Sequence, residues 1–344
     1  MLTAEPNSRS THRRQRVLAS VSVVLAAVVC LLVGTFVVVQ FTGAGHGGHA
    51  ETAGPNGTDY VDIMSVPPVA PAPAPIAGAS TGSFTDNCGR NVTTVHRNAD
   101  NVIAAPGETG GAHHTHDYVG NLSTNAFSTD ATLAAAGTTC ADGDLSSFYW
   151  PVLRVLGEQG SDVNAVGGGE DGNLGRILAP ASAVVKFVGN PATDVAPMPR
   201  FLREVTGDPK AITDGNASRV RPQWTCTGHT DRVTSSYPLC PEGSDVERIF
   251  DFPSCWNGTA LDSPTHTTHV VSSSRAGACP HGTFPVPQLT ITLTYHVPTG
   301  AMFAIDSFPE DFRSPVTDHS DFIDLMTDRQ QAQVVACINQ GRQC

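Results

Sequence analysis

Histidines and carboxylates recur in short, closely spaced sets along this chain. His114 and His116 stand at i and i+2, so on an extended strand both imidazoles point to one face. His319 and Asp321 repeat that spacing. His266 and His269 stand at i and i+3, which needs a turn or one helical turn to bring them together, and Asp262 lies four residues before His266. Imidazole and carboxylate are the groups that ligate transition metals and move protons near neutral pH. Two chemistries follow. In one, His114, His116 and His269 hold a single divalent metal, zinc or copper, with Asp321 or Asp262 orienting a ligand or acting as base. In the other there is no metal. One histidine is then a general base and another an acid, and Lys210 neutralises an acidic sugar or an oxyanion. Asp262 and Asp321 could also serve as the carboxylate pair of a glycosidase.

Each set also has a plainer explanation. The stretch Asp251 to Val270, DFPSCWNGTALDSPTHTTHV, joins ligand-type side chains to an Asn257-Gly258 turn and Pro264, so its histidines could simply tie a turn. His319 and Asp321 could cap a helix. Trp224 and Trp256 sit beside cysteines as core residues would. Tyr149-Trp150 is a candidate platform for stacking a sugar ring, with core packing as the alternative. The chain has no nucleophile elbow and no phosphate-cradling glycine loop in a βαβ setting.

Short strands must position these residues. Leu289, Ile291, Leu293, Tyr295 and Val297 alternate with polar partners, a period of two. Ser182 to Val188 reads as a second strand, and Glu247 to Phe252 as a third leading into the histidine stretch. Frequent Gly and Pro breaks point to a mainly β fold, a β-sandwich or jelly roll. One C-terminal helix is expected over Asp318 to Asn339, with Phe322, Leu325, Met326, Val334, Val335 and Ile338 as its apolar side.

The 344 residues carry a net charge of −12, which argues against nucleic acid as a partner. Residues 1–16 are polar with four arginines, and Val17 to Val39 follows as 23 residues without a charge. That length spans a ~30 Å hydrocarbon core. We expect a cytoplasmic tail (1–16), a transmembrane signal anchor (17–39) and a Gly/Pro/Ala-rich linker (40–83), then an extracytoplasmic domain (84–344). Cys30 lies in the apolar run. Cys88, Cys140, Cys226, Cys240, Cys255, Cys279, Cys337 and Cys344 form an even set that fits disulfides in an oxidising space. Cys226–Cys240 and Cys255–Cys279 would close short loops. The absence of C-x-x-C weighs against a zinc cluster of thiolates.

Several phrases together resemble one family: PG-x5-HHTHDYVG at 106–120, TTC-x7-FYWPVL at 138–153, and above all FPSCWNG-x2-LDSPTHTTH at 252–269, with H-x-DF at 319–322. They look like the secreted fungal and actinobacterial domain of unknown function DUF1996, over about residues 84–340. In fungi its members can be joined to WSC-type carbohydrate-binding modules. The resemblance implies secretion and an association with glycans, and assigns no reaction. The sequence departs from that pattern after Asp321, where a Gly-Trp pair is missing, and at Phe284, where a histidine is usual. The combined reading is a membrane-anchored extracytoplasmic β protein that acts on or binds cell-envelope polysaccharide, as a hydrolase or lyase. His114, His116, His266, His269, His319, Asp321 and Asp262 would line its site, and Lys210, Tyr149 and Trp150 would hold substrate. The alternative is a non-catalytic surface module that binds glycan or protein and uses its histidines structurally.

Overall fold

The computed structural model describes residues 54–215 and 219–344. They belong to one compact unit, Thr52–Cys344, which is mainly β and ends in a helix. Among the described residues no helix is long and apolar enough to cross a membrane. The expected anchor at 17–39, and Cys30 within it, lie outside the described residues.

Two five-stranded antiparallel sheets dominate. The first orders the strands Gln223–Cys226, Val246–Asp251, Gln288–Tyr295, Ser182–Val188 and Ser83–Asp86. Three of these, Gln288–Tyr295, Ser182–Val188 and Val246–Asp251, are the strands expected from the sequence. Along Gln288–Tyr295 buried and half-buried residues alternate without a break, the pattern of a sheet with one face in the core. The second sheet orders Arg97–Asn98, His116–Gly120, Ser147–Pro151, His319–Ile323 and Arg203–Gly207. Its three central strands are buried at every residue. On one face Phe148 and Phe322 pack against Phe187 of the first sheet, at ring separations of 6.4 and 6.0 Å. On the other, Tyr118, Tyr149 and Ile323 pack with Val102, Ile103 and Leu133 of the covering loops.

Arg248 ties the two sheets. Its guanidinium grips Asp318 through two nitrogens, at 2.5 and 3.1 Å, and donates to the Pro151 carbonyl at 2.9 Å. Arg248 is fully buried and Asp318 nearly so, and the rings of Trp224, Phe250 and Tyr295 surround the cation.

Two expectations need correction. The C-terminal helix spans Asp328–Asn339, not 318–339. Thr327 caps it in a box with Gln330, and the preceding His319–Ile323 is a central strand. Residues buried on both sides suit a sheet interior better than an amphipathic helix. Of the stretch expected as a linker, 40–83, the described residues 54–83 contribute to the fold. Tyr60–Asp62 pairs in parallel with Tyr237–Leu239, and the Tyr60 hydroxyl donates to the Phe303 carbonyl at 2.6 Å. The proline-rich run after it lies along the domain surface, where the Val69 amide donates to Asp231 and the Ile76 amide to Pro191.

All eight cysteines of the domain are paired. Cys226–Cys240 and Cys255–Cys279 form as expected, and Cys88–Cys140 and Cys337–Cys344 complete the set.

Candidate metal centre and adjoining cleft

The side chains of His116, Tyr118, Tyr149, His319 and Asp321 share the second sheet's outer face, because residues two apart on a strand point the same way. The register sets their level. His116 lies opposite Pro151 and Asp321 opposite Tyr149, so His116 and His319 reach the same end of the sheet. His114 arrives from the turn just before its strand. His113 in that turn takes a left-handed backbone (φ 54°), and Asp306 accepts from the Thr115 amide at 3.3 Å.

The three imidazoles converge through their Nε2 atoms. The separations are 3.0 Å for His114–His116, 3.2 Å for His114–His319 and 3.4 Å for His116–His319. All three residues are buried. The other ring nitrogens explain the orientation. His116 Nδ1 donates to the Asp100 carbonyl at 3.0 Å, and His319 Nδ1 donates to the Thr317 carbonyl at 2.9 Å. A carbonyl can only accept, so both of those Nε2 atoms carry bare lone pairs. Whichever tautomer His114 adopts, at most one of the three Nε2 contacts can be a hydrogen bond. The rest set lone pair against lone pair, which is unfavourable without a cation. Zinc bonded at ~2.0–2.1 Å by tetrahedral nitrogens would hold them about 3.3 Å apart. Burial and mutual repulsion keep the imidazoles neutral, as ligands must be: His116 falls to about 3 and His319, through burial, to about 4.

Gly207 is part of this machinery. It lies opposite His319 in the neighbouring strand with φ 87°, and a Cβ there would sit 2.2 Å from the Asp318 carbonyl and 2.7 Å from His319 Cα. Only glycine lets the two strands close at this level.

His319 and Asp321 line a cleft of about 560 Å3, along with Asn101, His266, Lys210 and Phe308. Asp321 is almost wholly buried, and burial raises its carboxyl to about 7. Asn101 Nδ2 donates to its Oδ1 at 3.3 Å, and its Oδ2 has no partner. On the cleft wall, His266 Nδ1 is bonded to Asp262 Oδ1 at 2.8 Å, a contact that raises the imidazole above its ordinary value. Burial pushes Asp262 up, but the hydrogen bonds from His266 and the Ser263 amide, with the charges of His266 and His269, together hold it below the usual carboxylate range. His266 itself occupies the left-handed region (φ 56°), a strain of a kind that collects at functional sites. The Lys210 ammonium rests over the Phe308 ring at 4.4 Å, and that ring also packs edge-on against His114.

Not every expected residue joins this place. His269 does not belong to the trio; His319 takes the position proposed for it. Both nitrogens of His269 are already used, one with the Ser263 hydroxyl at 3.0 Å and one with the Arg203 carbonyl at 2.5 Å. Tyr149 and Trp150 are fully buried, so they offer no stacking surface to a sugar. Tyr149 instead backs the His116 ring at 5.3 Å, and Trp150 belongs to the core between the sheets. The aromatic ring that does face the cleft is Phe308, which no motif marked. Asn101 and the Asp100 and Thr317 carbonyls were equally silent in the sequence, because their roles depend on backbone position. The i, i+2 spacing of His319 with Asp321, matching that of His114 with His116, was the one signal pointing to a shared strand face.

A family model described as domain of unknown function (DUF1996) matches residues 101–324, a span that holds the whole imidazole trio and the cleft residues. Neither a curated protein nor a solved structure matches the chain.

Proposed function

Starting from a chain that belongs to the DUF1996 family, whose description assigns no activity, we propose an extracytoplasmic, metal-dependent enzyme that cleaves cell-envelope polysaccharide. The observation that carries this reading is the meeting of the Nε2 atoms of His114, His116 and His319, the last of which lines an open cleft. His114, His116 and His319 would hold the metal, zinc or copper, since imidazole suits both. A metal ion with three protein ligands and one open position supplies Lewis acidity and an activated water.

The chain's own groups provide the rest. Asp321 presents an unpartnered carboxylate oxygen beside the trio. His266, its Nδ1 held by Asp262, turns its other nitrogen free to exchange a proton with substrate or leaving group. Lys210 at the cleft wall would pair with an acidic sugar or phosphoryl group, and Phe308 offers an apolar ring to a pyranose face. Hydrolysis, or β-elimination from a uronate, is the reaction class these groups suit. Four disulfides fit an oxidising compartment. The apolar run at 17–39 supports a single-pass anchor with the amino terminus inside. We read the facing five-stranded sheets as a sandwich.

The test uses the full-length chain purified in detergent. We expect one transition metal per chain by elemental analysis, and chelator-sensitive release of sugars from acidic envelope glycans. His116→Ala and His319→Ala should lose both metal and turnover. His266→Ala should keep the metal and lose rate, by about a hundredfold if the imidazole is a general acid or base. Metal well below one per chain, with no effect of chelation, would end the metal-dependent reading. Metal and glycan binding without turnover would make the chain a binding module.

A further inference from the structure

The three imidazoles of the trio are not held alike. His116 and His319 each have one ring nitrogen bonded to a backbone carbonyl. His114 Nδ1 is buried and makes no hydrogen bond; the Ala112 carbonyl bears on the ring without bonding to it. The edge-on contact of this ring with Phe308, at 5.3 Å between centres, is apolar packing and does not select one lone-pair direction. The aim of His114 is therefore set chiefly by where its backbone stands.

That backbone is clamped from two places. Asp306 Oδ2 accepts from the Thr115 amide at 3.3 Å. The Asp306 amide donates to the Val152 carbonyl at 3.0 Å, and the Val152 amide donates to the Thr115 carbonyl at 2.9 Å. Asp306 thus grips Thr115, the residue between two of the imidazoles, both directly and through Val152. Arg154 holds the Asp306 carboxylate in turn, at 2.6 and 2.8 Å, and reaches Asp162 at 2.7 and 2.8 Å. Arg154 and Asp306 are fully buried, a pairing that is costly to keep away from water. The second clamp is Asn173, which is also buried. Its Nδ2 donates to the carbonyl of His113, the residue before His114, at 3.1 Å, and lies within 3.1 and 3.0 Å of the Gly167 and Ser307 carbonyls. The Ser307 amide donates back to Asn173 Oδ1 at 3.1 Å. The loop carrying Asn173 fits the turn so closely that a Cβ on Gly167 would stand 2.4 Å from Ala99 Cβ and 3.2 Å from the His114 carbonyl carbon.

We propose that Asp306 and Asn173 are positioning residues for the metal centre: they fix the 113–115 backbone so that His114, whose ring has no hydrogen-bonded orienter, delivers its Nε2 to the other two. This assignment rests on the metal-dependent reading above. Metal–nitrogen distances must be met within about 0.2 Å, so a small shift of the turn is enough to lose one ligand of three. Groups that orient ligands from outside the coordination sphere are worth ten- to a hundredfold in metal affinity. For His116 and His319 that service comes from ring-to-carbonyl bonds. For His114 it comes from a carboxylate and an amide that touch only the main chain on either side of it.

The full-length chain in detergent, stripped with a chelator, is titrated with zinc chloride or copper(II) chloride by calorimetry, and with cobalt(II) chloride by its visible spectrum. Asp306→Ala and Asn173→Ala should each bind the metal about ten- to a hundredfold more weakly than wild type. Their cobalt spectra should also change, because a displaced His114 alters the coordination geometry. His269→Ala, which unsettles the fold without touching the turn, should keep wild-type affinity and an unchanged cobalt spectrum. If Asp306→Ala does not fold, Asn173→Ala carries the test, since its loop lies outside both five-stranded sheets. Wild-type affinity and an unchanged cobalt spectrum in Asn173→Ala and in folded Asp306→Ala would overturn the assignment, leave the metal reading standing and make these groups mere supports of the fold. Equal loss of metal in His269→Ala would overturn it as well, by making general destabilisation the cause. A wild-type chain that takes up none of the three metals would end the metal reading itself, and with it any ligand for these residues to position.

Discussion

His116 and His269 are both buried histidines in motif-like phrases, yet their surroundings give them different work. His116 has one nitrogen bonded and one aimed at two other imidazoles. His269 has both nitrogens satisfied by a hydroxyl and a carbonyl. His116→Ala should therefore lose stoichiometric metal by elemental analysis. His269→Ala should keep the metal and lose stability in urea, by about 1–3 kcal/mol for a buried hydrogen-bonding group left unpaired. His266 and Asp262 make a further prediction at this scale. The raised imidazole stabilises the fold fully below its unfolded value of ~6.5, and that gain is lost as pH climbs through the folded value. The depressed carboxyl stabilises above its unfolded value of ~3.9, a gain lost as pH falls through the folded value. Their pairing thus counts most between about pH 4 and 6.5. Asp262→Asn should shrink the difference in urea midpoint between pH 5.5 and 8 and bring the His266 titration, followed by NMR, back toward its ordinary value.

At the scale of elements, the strand His319–Ile323 matters most. It lies between Ser147–Pro151 and Arg203–Gly207, delivers His319 and Asp321 to one face, and sends Phe322 into the core on the other. Period-two alternation missed it because both faces are buried, which erases the polar–apolar signal. The three inner strands of the first sheet kept one half-exposed face and were legible for that reason. Arg248 anchors the residue just before His319. Arg248→Ala leaves the Asp318 carboxylate buried without its partner, and unfolding in urea should show a loss of about 3–5 kcal/mol. Replacing both residues by apolar side chains of similar volume should recover much of that loss, and a double variant that stays as unstable as Arg248→Ala would mean the cost lies in packing.

At the scale of the molecule, the disulfides divide by the loops they close. Cys88–Cys140 spans 52 residues and Cys337–Cys344 spans 7. Loop entropy gives about 4 kcal/mol for the first and about 2 kcal/mol for the second. Thermal unfolding of the paired Cys→Ala variants should rank them in that order; the reverse order would mean that native-state strain outweighs chain entropy. The sequence by itself determined the mainly β class, two local disulfides, three strands and the list of ligand-type residues. Those features are local, written in alternation, turn chemistry and short separations. Which imidazoles meet was decided only by the tertiary structure. Antiparallel register carries His319 to the level of His116 across some 200 residues of chain, and two backbone carbonyls choose the tautomers that leave the lone pairs facing one another. Burial was decided there as well, sealing Tyr149 and Trp150 behind the site and leaving Phe308 at its mouth. Spacing along a chain fixes which side chains share a face, but pairing between distant strands is a matter of how the whole core packs.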